Sequence, residues 1–389
     1  MDPHPLIAPG LFALLVAIRL ECSRRKPRVE RVLLFGTGPI GREVLRELED
    51  RPELRCAVVG VVDDAEPPAA GGRAPFLGPP ERLAQIAQEL RPHRIIVGKR
   101  PGGRSARELL HLRVSGLIVE DAAHAYERLT GKMAIDSLRP ASLLACEGFR
   151  SSRLQQVMAR AISVLFAVVG LISLSPLLAL IAAAIRLESE GPVLFRQRRL
   201  GLCGKPFELL KFRTMRAASR PTSEWVGDNR ERITRVGAWL RRFRCDELPQ
   251  LVNILVGEMN LVGPRPHPLS NFKLFARRIP FYALRCLVRP GLTGWAQVRY
   301  RYANNLAEEI EKMRYDLYYI KHRSALLDLR IIPETVKAIL TGGAAAEAKA
   351  ASPSGPRAVP GPGKSAQLDG ANGERKILEL LGRTRGRAA

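Results

Sequence analysis

The sequence predicts an α/β protein in two parts: a parallel-sheet domain near the N-terminus, followed by a mostly helical, membrane-associated domain. Three observations predict this class. An apolar run at residues 32–35 leads directly into a glycine-rich turn, as buried parallel strands commonly do. From Ala161 to Ile185 the chain has 25 residues without a charge. Beyond residue 233, apolar residues recur at helical spacing among many arginines, which is typical of interfacial and packed helices.

The composition restricts the class of partner. The chain has 389 residues and a formal net charge of +24, which indicates an anionic partner: nucleic acid, anionic lipid headgroups or a phosphorylated substrate. The six cysteines are scattered and form no C-x-x-C pair. This argues against a zinc site and a disulfide framework, and it fits a reducing compartment.

The first 28 residues are interpreted as a truncated membrane anchor. Residues 6–18 are uncharged and mostly apolar, but a helix needs about 20 such residues to span a bilayer. Basic residues follow between positions 19 and 26 and favour the cytoplasmic side.

Residues 29–128 show the pattern of a Rossmann-like domain. Gly36, Gly38 and Gly41 follow the first strand as G-x-G-x-x-G, and Asp63 ends the second strand. In dinucleotide-binding folds such glycines let the backbone approach a pyrophosphate, and the acid binds a ribose. NAD(P) is therefore one candidate ligand, but a domain of this fold that binds no dinucleotide explains the same pattern. Further elements are predicted as a helix to about residue 50, strands at 57–62, 95–97 and 117–119, and a helix at 81–90.

The uncharged stretch predicts a membrane helix over residues 157–187, after a linker at 129–154. It is long enough to cross a bilayer, but Ser175-Pro176 interrupts it, and a proline inside a helix removes a backbone hydrogen bond. Arginines flank both ends, which places both ends on the same side of the membrane. A re-entrant helix that enters, breaks at Ser175-Pro176 and returns explains both features, and a kinked spanning helix is the alternative.

Basic residues after this helix are candidate phosphate-binding groups. Arg196, Lys211 and Arg213 lie in a segment where cations far outnumber acids. Arg265 has a proline on each side, which stiffens the backbone and holds one guanidinium in place. Arginine and lysine are common ligands of phosphate, although a solvated or headgroup-binding surface explains the same charge.

Asp246 and Glu247 are two adjacent carboxylates within this basic region. Apolar residues at helical spacing begin directly after them, so the pair is expected at or just before a helix N-terminus. The helix dipole favours negative charge there and would keep Asp246 ionised. A helix cap with an acidic neighbour would explain an isolated pair equally well.

The segment from about residue 155 to 341 resembles the bacterial sugar transferase family, the monotopic phosphoglycosyl transferases. Several motifs in order carry the resemblance: the apolar hairpin with Ser175-Pro176, Phe195-Arg196-Gln197, Lys211-Phe212-Arg213-Thr214-Met215, Asp246-Glu247-Leu248-Pro249-Gln250-Leu251, Gly263-Pro264-Arg265-Pro266, Pro290-Gly291-Leu292-Thr293-Gly294-Trp295 and Tyr315-Asp316-Leu317-Tyr318-Tyr319-Ile320. The preceding residues 126–140 resemble the subgroup associated with exosortase-linked exopolysaccharide systems.

The resemblance implies an enzyme that moves a sugar 1-phosphate from a nucleotide-diphosphate sugar to polyprenyl (undecaprenyl) phosphate and so initiates exopolysaccharide synthesis. Asp246 would form an aspartyl phosphosugar intermediate, with Glu247 as its catalytic partner. Expected Mg²⁺ ligands are Asp246, Glu247 and Glu258, and expected phosphate-binding residues are Lys211, Arg213, Arg265 and Arg196. The protein would act at the cytoplasmic face of the bacterial inner membrane, in contact with lipid and without nucleic acid.

Two other functions compete with this interpretation. A membrane-attached, NAD-dependent nucleotide-sugar oxidoreductase or epimerase would use the N-terminal glycine motif. A non-enzymatic basic protein bound to nucleic acid or to an anionic membrane would explain the charge alone. A homo-oligomer is compatible with all three, and residues 342–389 are expected to form a disordered tail with a short terminal helix.

Overall fold

A computed structural model describes residues 29–65, 73–135, 149, 152–216, 232–300 and 305–340. The predicted N-terminal anchor and the predicted C-terminal tail lie outside these residues, and so does most of the predicted linker. The chain divides into two compact units, Met1–Thr130 and Gly131–Ala389.

The N-terminal unit is built on one parallel five-stranded sheet. Its elements are β1 (Glu30–Phe35), α1 (Pro39–Asp50), β2 (Cys56–Val62), β3 (Phe76–Gly78), α2 (Leu83–Leu90), β4 (Arg94–Val97), α3 (Gly103–Val114), β5 (Ile118–Asp121) and α4 (Ala122–Thr130). The strand order is β3-β2-β1-β4-β5, with every pair parallel. Doubly wound α/β sheets use this order, and its direction reverses between β1 and β4.

Burial along β1 explains why its sequence is a continuous apolar run. Its last four residues, 32–35, are all buried, as expected of a parallel strand that is covered on both faces. Leu33 and Phe35 share a core with Leu83 and Leu109, from the helices α2 and α3.

Most predicted elements of this unit are confirmed. The strands at 32–35, 57–62 and 95–97 and the helix after the glycine turn are present, and the last predicted strand begins one residue late, at Ile118. β3, α3 and α4 were not predicted. β3 has only three residues, and α3 begins at Gly102-Gly103, which is typical of a turn.

The second unit is mostly helical, with two small strand pairs. Its elements are α5 (Arg153–Glu188), β6 (Leu194–Leu200), β7 (Pro206–Phe212), α6 (Arg235–Arg242), α7 (Gln250–Val256), β8 (Asn260–Val262), α8 (Leu269–Ala276), β9 (Gly291–Thr293), α9 (Trp295–Arg299), α10 (Leu306–His322) and α11 (Ala325–Leu340). β6 and β7 pair antiparallel, whereas β8 and β9 pair parallel. Met313, Leu317 and Ile320 of α10 lie in the main core, as their helical spacing predicted.

α5 is a single helix of 36 residues that continues through Pro176. Pro176 has no N–H for the carbonyl oxygen of Ile172, and the hydroxyl of Ser175 donates a hydrogen bond to that oxygen over 2.8 Å instead. The predicted interruption at Ser175-Pro176 therefore does not end the helix, and the re-entrant path stays a prediction.

α5 is also the one helix within the described residues that is long and apolar enough to cross a membrane. Only 11% of its most apolar window is buried, so it is not a core helix. Both ends contact the same unit. Arg160 donates to the carbonyl oxygens of Leu255 and Met259, and the last turn receives a hydrogen bond from Arg213 at Ile185.

Two glycine-containing loops are joined backbone to backbone beside β8 and β9. The N–H of Gly291 donates to the carbonyl oxygen of Pro264 over 3.0 Å, and the N–H of Gly263 donates to that of Thr293 over 2.9 Å. A Cβ on Gly291 would lie 2.1 Å from the nitrogen of Gly263, and one on Gly294 would lie 2.2 Å from the oxygen of Gly263. Side chains are therefore excluded where these loops meet.

Candidate active site

A single turn positions Asp246 and Glu247. The chain leaves α6 through Arg244, whose φ of 56° is left-handed, and then makes one 3₁₀ turn, Cys245–Glu247. Pro249 caps α7, which begins at Gln250. The prediction that the pair lies just before a helix N-terminus is therefore confirmed.

Glu247 is a buried anion surrounded by cations. Its Oε1 accepts hydrogen bonds from Nη2 of Arg265 over 2.7 Å and from Nζ of Lys211 over 3.1 Å, and Arg244 approaches its Oε2 at 3.9 Å. Burial alone would raise the pKa of this carboxyl, but Arg265 and Lys211 hold the pKa well below its usual range. Glu247 is therefore ionised, and its role is to hold these cations in place.

Asp246 has a different environment from its neighbour. Its carboxylate is half-buried and makes no hydrogen bond or ion pair within the part of the chain that the structure describes. Burial raises the pKa of the Asp246 carboxyl and the nearby Lys211 lowers it, whereas the charge of Glu247 raises the pKa further. Burial and the adjacent carboxylate therefore act against ionisation of Asp246, and the expectation that the helix dipole keeps it ionised stays a prediction.

Lys211 completes this group from β7. Its side chain is only 18% exposed, and burial lowers the pKa of its ammonium group although Glu247 opposes the change. Lys211, Arg265, Asp246 and Glu247, predicted from separate motifs, are thus brought together.

Arg265 is held in place from both sides. Its Nη1 donates to Oε1 of Gln297 over 3.3 Å, and its own carbonyl oxygen accepts a hydrogen bond from Nη2 of Arg285 over 3.1 Å. The flanking prolines therefore act together with a buried network that the sequence did not predict.

That network is charged and almost fully buried. Arg285 pairs with Glu309 over 3.1 Å and with Asp316 over 2.8 Å. Oη of Tyr282 donates to Glu309 and lies 3.0 Å from Nδ1 of His267. Burial and the neighbouring Arg285 hold the pKa of His267 well below its usual range, so the ring is neutral. The network anchors the loop that carries Arg265.

Three predicted site residues do other work in the structure. Arg213 is buried and donates to the carbonyl oxygens of Ile185 and Ser189, so it ties down the end of α5. Arg196 is exposed and pairs with Glu208 at 3.7 Å. Oε2 of Glu258 accepts a hydrogen bond from Nδ2 of Asn253.

The predicted metal ligands Asp246, Glu247 and Glu258 do not form a cluster. Among the described residues there is no group of three or more His, Cys, Asp or Glu side chains arranged to hold a metal ion. Oε2 of Glu258 is bonded to Asn253 and Glu247 is already shared by cations, so the set of three ligands stays a prediction. Mg²⁺ usually takes one or two carboxylates together with substrate phosphates, and Asp246 with Glu247 fits that smaller set.

A largely apolar cavity of about 440 Å³ opens beside the turn. Phe166, Gly170 and Leu174 line it from the middle of α5, and α11 lines it with the segment 332–339. Its polar end is lined by four charged residues, Arg241, Arg242, Arg244 and Glu247. The cavity therefore combines a largely apolar wall with three arginines and one carboxylate.

Arg241, Arg244 and Gln297 are the site residues that the sequence did not indicate. Arg241 donates to Oγ1 of Thr214 over 2.9 Å, and its charge acts on Asp246. Both arginines belong to the arginine-rich stretch beyond residue 233 that the sequence predicts as interfacial or packed helix. The i, i+3 spacing of Arg244 and Glu247 is a signal that could have separated Arg244 from the rest of that stretch.

In the N-terminal unit, Gly36, Gly38, Gly41 and Asp63 lie together as their spacing predicted. A Cβ on Gly38 would lie 2.2 Å from the oxygen of Gly98, and one on Gly41 would lie 2.7 Å from the oxygen of Gly36. Close approach of the chain to itself therefore already requires these glycines. Oδ2 of Asp63 accepts hydrogen bonds from N and Oγ1 of Thr37. These bonds overcome the effect of burial and lower the pKa of Asp63.

Comparisons with known proteins agree on one family. Residues 154–342 match the family model described as "Bacterial sugar transferase". The chain is 41% identical over 217 residues to the UDP-N-acetylgalactosamine-undecaprenyl-phosphate N-acetylgalactosaminephosphotransferase of Aeromonas hydrophila, covering 56% of this chain and 51% of that protein. It is 32% identical over 313 residues to the UDP-glucose:undecaprenyl-phosphate glucose-1-phosphate transferase of Escherichia coli K12, covering 78% of this chain and 66% of that protein.

A third relative is matched almost completely. The exopolysaccharide production protein PSS of Rhizobium leguminosarum bv. phaseoli is 40% identical over 194 residues, which cover 48% of this chain and 97% of that protein. By contrast, the chain spans between half and two thirds of the length of the two relatives above.

Proposed function

The chain belongs to the bacterial sugar transferase family, and on that premise we propose that it transfers a sugar 1-phosphate from a nucleotide-diphosphate sugar to polyprenyl phosphate. The relatives named above are described as transferases of this type, acting on UDP-sugars and undecaprenyl phosphate. Initiation of exopolysaccharide synthesis is the corresponding cellular role.

One observation carries the proposal. A carboxylate without a partner among the described residues, Asp246, adjoins Glu247, which holds three cations and itself lines an apolar cavity. A phosphate transfer between a soluble donor and a lipid acceptor needs a nucleophile, cations for phosphate oxygens and space for an apolar chain. The site provides all three around the turn Cys245–Glu247.

In the first step, an oxygen of Asp246 attacks the phosphorus that carries the sugar. The bond from that phosphorus to the oxygen of the leaving nucleoside monophosphate breaks, and an aspartyl phosphosugar forms. Arg265 and Lys211 stabilise the charge that develops on the phosphate oxygens. Glu247 keeps both cations in position through its ion pairs with them. The pairs are maintained because Glu247 without these cations would be an unpaired buried charge.

In the second step, a phosphate oxygen of the lipid attacks the same phosphorus. The bond to Asp246 breaks, which restores the carboxylate and releases the sugar on a lipid diphosphate. Arg241 and Arg244 face the head of this acceptor at the polar end of the cavity, and its first isoprene units lie along α5 and α11. Splitting one displacement into two lets each substrate be bound separately.

Mg²⁺ is proposed as the cofactor, held by Asp246 and Glu247 together with substrate oxygens. When bound, it neutralises charge on the diphosphate.

Location at the cytoplasmic face of the inner membrane is part of the proposal. α5 presents an apolar surface that is not buried in the protein. Trp239 and Phe243 are also exposed, at the end of the basic helix α6, as in helices that lie in the membrane interface. A re-entrant path for α5 is supported by the contacts of both its ends with one unit.

The NAD-dependent alternative has little support. The glycines of the motif serve the chain's own contacts. We keep the Rossmann-like description of the N-terminal unit as a proposal that rests on its strand order, whereas the exosortase-associated subgroup stays a prediction from residues 126–140.

The proposal is tested with purified full-length protein, polyprenyl phosphate and a panel of nucleotide-diphosphate sugars. Release of nucleoside monophosphate that depends on the lipid phosphate is the expected result, and UDP-sugars are the first donors to try. If no donor in the panel is consumed while the protein is folded and bound to membrane, the proposed reaction is wrong.

A further inference from the structure

The N-terminal unit contains a second cavity, of about 320 Å³. It lies at the carboxyl ends of β1 and β2, with Phe35, Gly36 and Asp63 among its lining residues, and the segment 99–105 closes its other side. This edge includes the point between β1 and β4 where the strand order reverses. Doubly wound sheets bind their ligands at such points.

The cavity does not coincide with the predicted pyrophosphate position. Gly38 and Gly41 are not among its lining residues. Pro39 occupies the first turn of α1 and therefore removes one of the N–H groups that would face a phosphate. The anionic group of a ligand in this cavity must therefore bind at a place other than the N-terminus of α1.

The N-terminus of α3 is the alternative position for an anion. This helix has 12 residues, and its N-cap is Gly102, which has no side chain to bond the free N–H groups. The first turn of the helix contains no acid. The first intrahelical bond runs from the N–H of Ala106 to the oxygen of Gly102, so the N–H groups before Ala106 have no partner in the helix. Gly102, Gly103 and Ser105 all line the cavity. The helix dipole favours an anion at this place.

Ser105 provides an independent indication of a ligand. Its residue is only 9% exposed, it lines the cavity, and its hydroxyl has no hydrogen-bond partner within the described residues. Because this hydroxyl lines the cavity, it is available to bond a ligand there. Arg100 and Arg104 line the same side of the cavity and add positive charge there.

The opposite side of the cavity is acidic. Asp63, Asp64 and Glu81 line it, and Lys99 pairs with Asp64 and lies 3.7 Å from Asp63. Carboxylates accept hydrogen bonds from hydroxyl groups, as the acid does at the ribose in nucleotide-binding sheets. A ligand with a phosphate at one end and free hydroxyls at the other complements both sides.

We propose that this cavity binds a nucleoside monophosphate, with the phosphate at the N-terminus of α3 beside Ser105 and the ribose hydroxyls toward Asp63 and Asp64. The volume lies at the lower end of the range for ligand sites, which favours a mononucleotide over a dinucleotide. Phe35, Val62 and Pro80 give the cavity an apolar side for the base. The site uses no residue of the proposed transferase site and does not depend on that function.

The decisive variant is Gly103→Asp in the full-length protein. A Cβ on Gly103 meets no atom within 4 Å, and an acid in the first turn stabilises a helix, so the fold is kept. The added carboxylate repels a bound phosphate at close range. Gly103→Asn is the matched control, because it has the same shape without the charge.

Binding of UMP, AMP and inorganic phosphate is measured by calorimetry, and the bound region is located by hydrogen exchange. We expect a nucleotide to protect the amides of residues 103–106, with affinity about tenfold weaker in Gly103→Asp and unchanged in Gly103→Asn. Protection of residues 246–251 reports binding at the transferase site separately, so failure of one site is distinguishable from failure of the other.

Three results would overturn the proposal. The first is that neither nucleotide protects residues 103–106 at millimolar concentration. The second is that the Asp and Asn variants bind the nucleotide equally well. The third is that inorganic phosphate protects these residues as strongly as the nucleotides do. The last result would leave a simple phosphate site without a nucleoside.

Discussion

Asp246 and Glu247 share one turn but have opposite pKa shifts. Glu247 is bonded to two cations and has a lowered pKa, whereas burial raises the pKa of Asp246. A carboxylate that is partly desolvated and unpaired is the more reactive of the two. The roles of nucleophile and positioning residue therefore follow from their surroundings rather than from their order in the chain.

Replacing Asp246 by Asn should abolish transfer and stabilise the protein. The amide cannot attack phosphorus, and it removes a buried charge whose ionised form is disfavoured in the fold. We expect no detectable release of nucleoside monophosphate, unchanged membrane association and a free energy of unfolding about 1 kcal/mol higher, as is common when an active-site residue is neutralised. Turnover by this variant would exclude Asp246 as the nucleophile.

The pH dependence of transfer should report Asp246. Because the pKa is raised, the carboxyl becomes protonated, and activity is lost, as pH falls through a value above the ordinary Asp value of about 3.9. Glu247, with a lowered pKa, stays ionised across this range, so the cations remain in place. A profile of kcat/KM against pH measures the acidic limb, and a limb at or below the ordinary value contradicts the assignment.

Glu247→Gln and Glu258→Gln should separate the roles of two of the three predicted metal ligands. Loss of the Glu247 charge leaves Lys211 and Arg265 without their buried partner, which we expect to cost about 3 kcal/mol of stability and most of the activity. In Glu258→Gln the new amide oxygen still accepts a hydrogen bond from Asn253, so stability, activity and Mg²⁺ dependence should stay near wild type. Altered Mg²⁺ dependence in Glu258→Gln would instead indicate that Glu258 contributes to Mg²⁺ binding.

At the scale of elements, α5 decides how the protein meets the membrane. Single cysteines at Leu154 and Arg198, which are exposed, in a chain whose native cysteines are replaced by serine, report on which side each flank lies. A re-entrant path predicts that a membrane-impermeant thiol reagent labels both only from the cytoplasm. Labelling of either from the periplasm would show that α5 spans the bilayer.

Sequence patterns predicted the helices and strands well, but they did not predict which partners the long side chains contact. The apolar run of β1, the glycine turn and the spacing in α10 are local signals, and each is confirmed. The partners of Arg213 and Arg265 are not local. Arg213 bonds Ser189 and Arg265 bonds Glu247, across loops whose paths no spacing rule specifies. Because Arg213 and Arg265 carry the same charge in similar motifs, the sequence suggested phosphate binding for both. In the fold, Arg213 bonds the end of α5 and Arg265 bonds Glu247.

At the scale of the whole molecule, the proposed chemistry belongs to one of the two units. Every residue assigned to the transferase site lies in Gly131–Ala389. A chain that begins at Gly131 should therefore retain transfer when bound to membrane, while the protection by nucleotide at residues 103–106 is lost with the first unit. Comparison of turnover per bound molecule with the full chain measures this. Complete loss of turnover in a folded, membrane-bound fragment would mean that the first unit takes part in the reaction.

The contact between Gly263 and Gly291 has a consequence for how such proteins can change. The two loops are distant in sequence, yet neither can gain a side chain unless the other backbone moves away. A side chain at either glycine therefore requires the facing backbone to be rebuilt, and no change of side chain in the other loop can accommodate it.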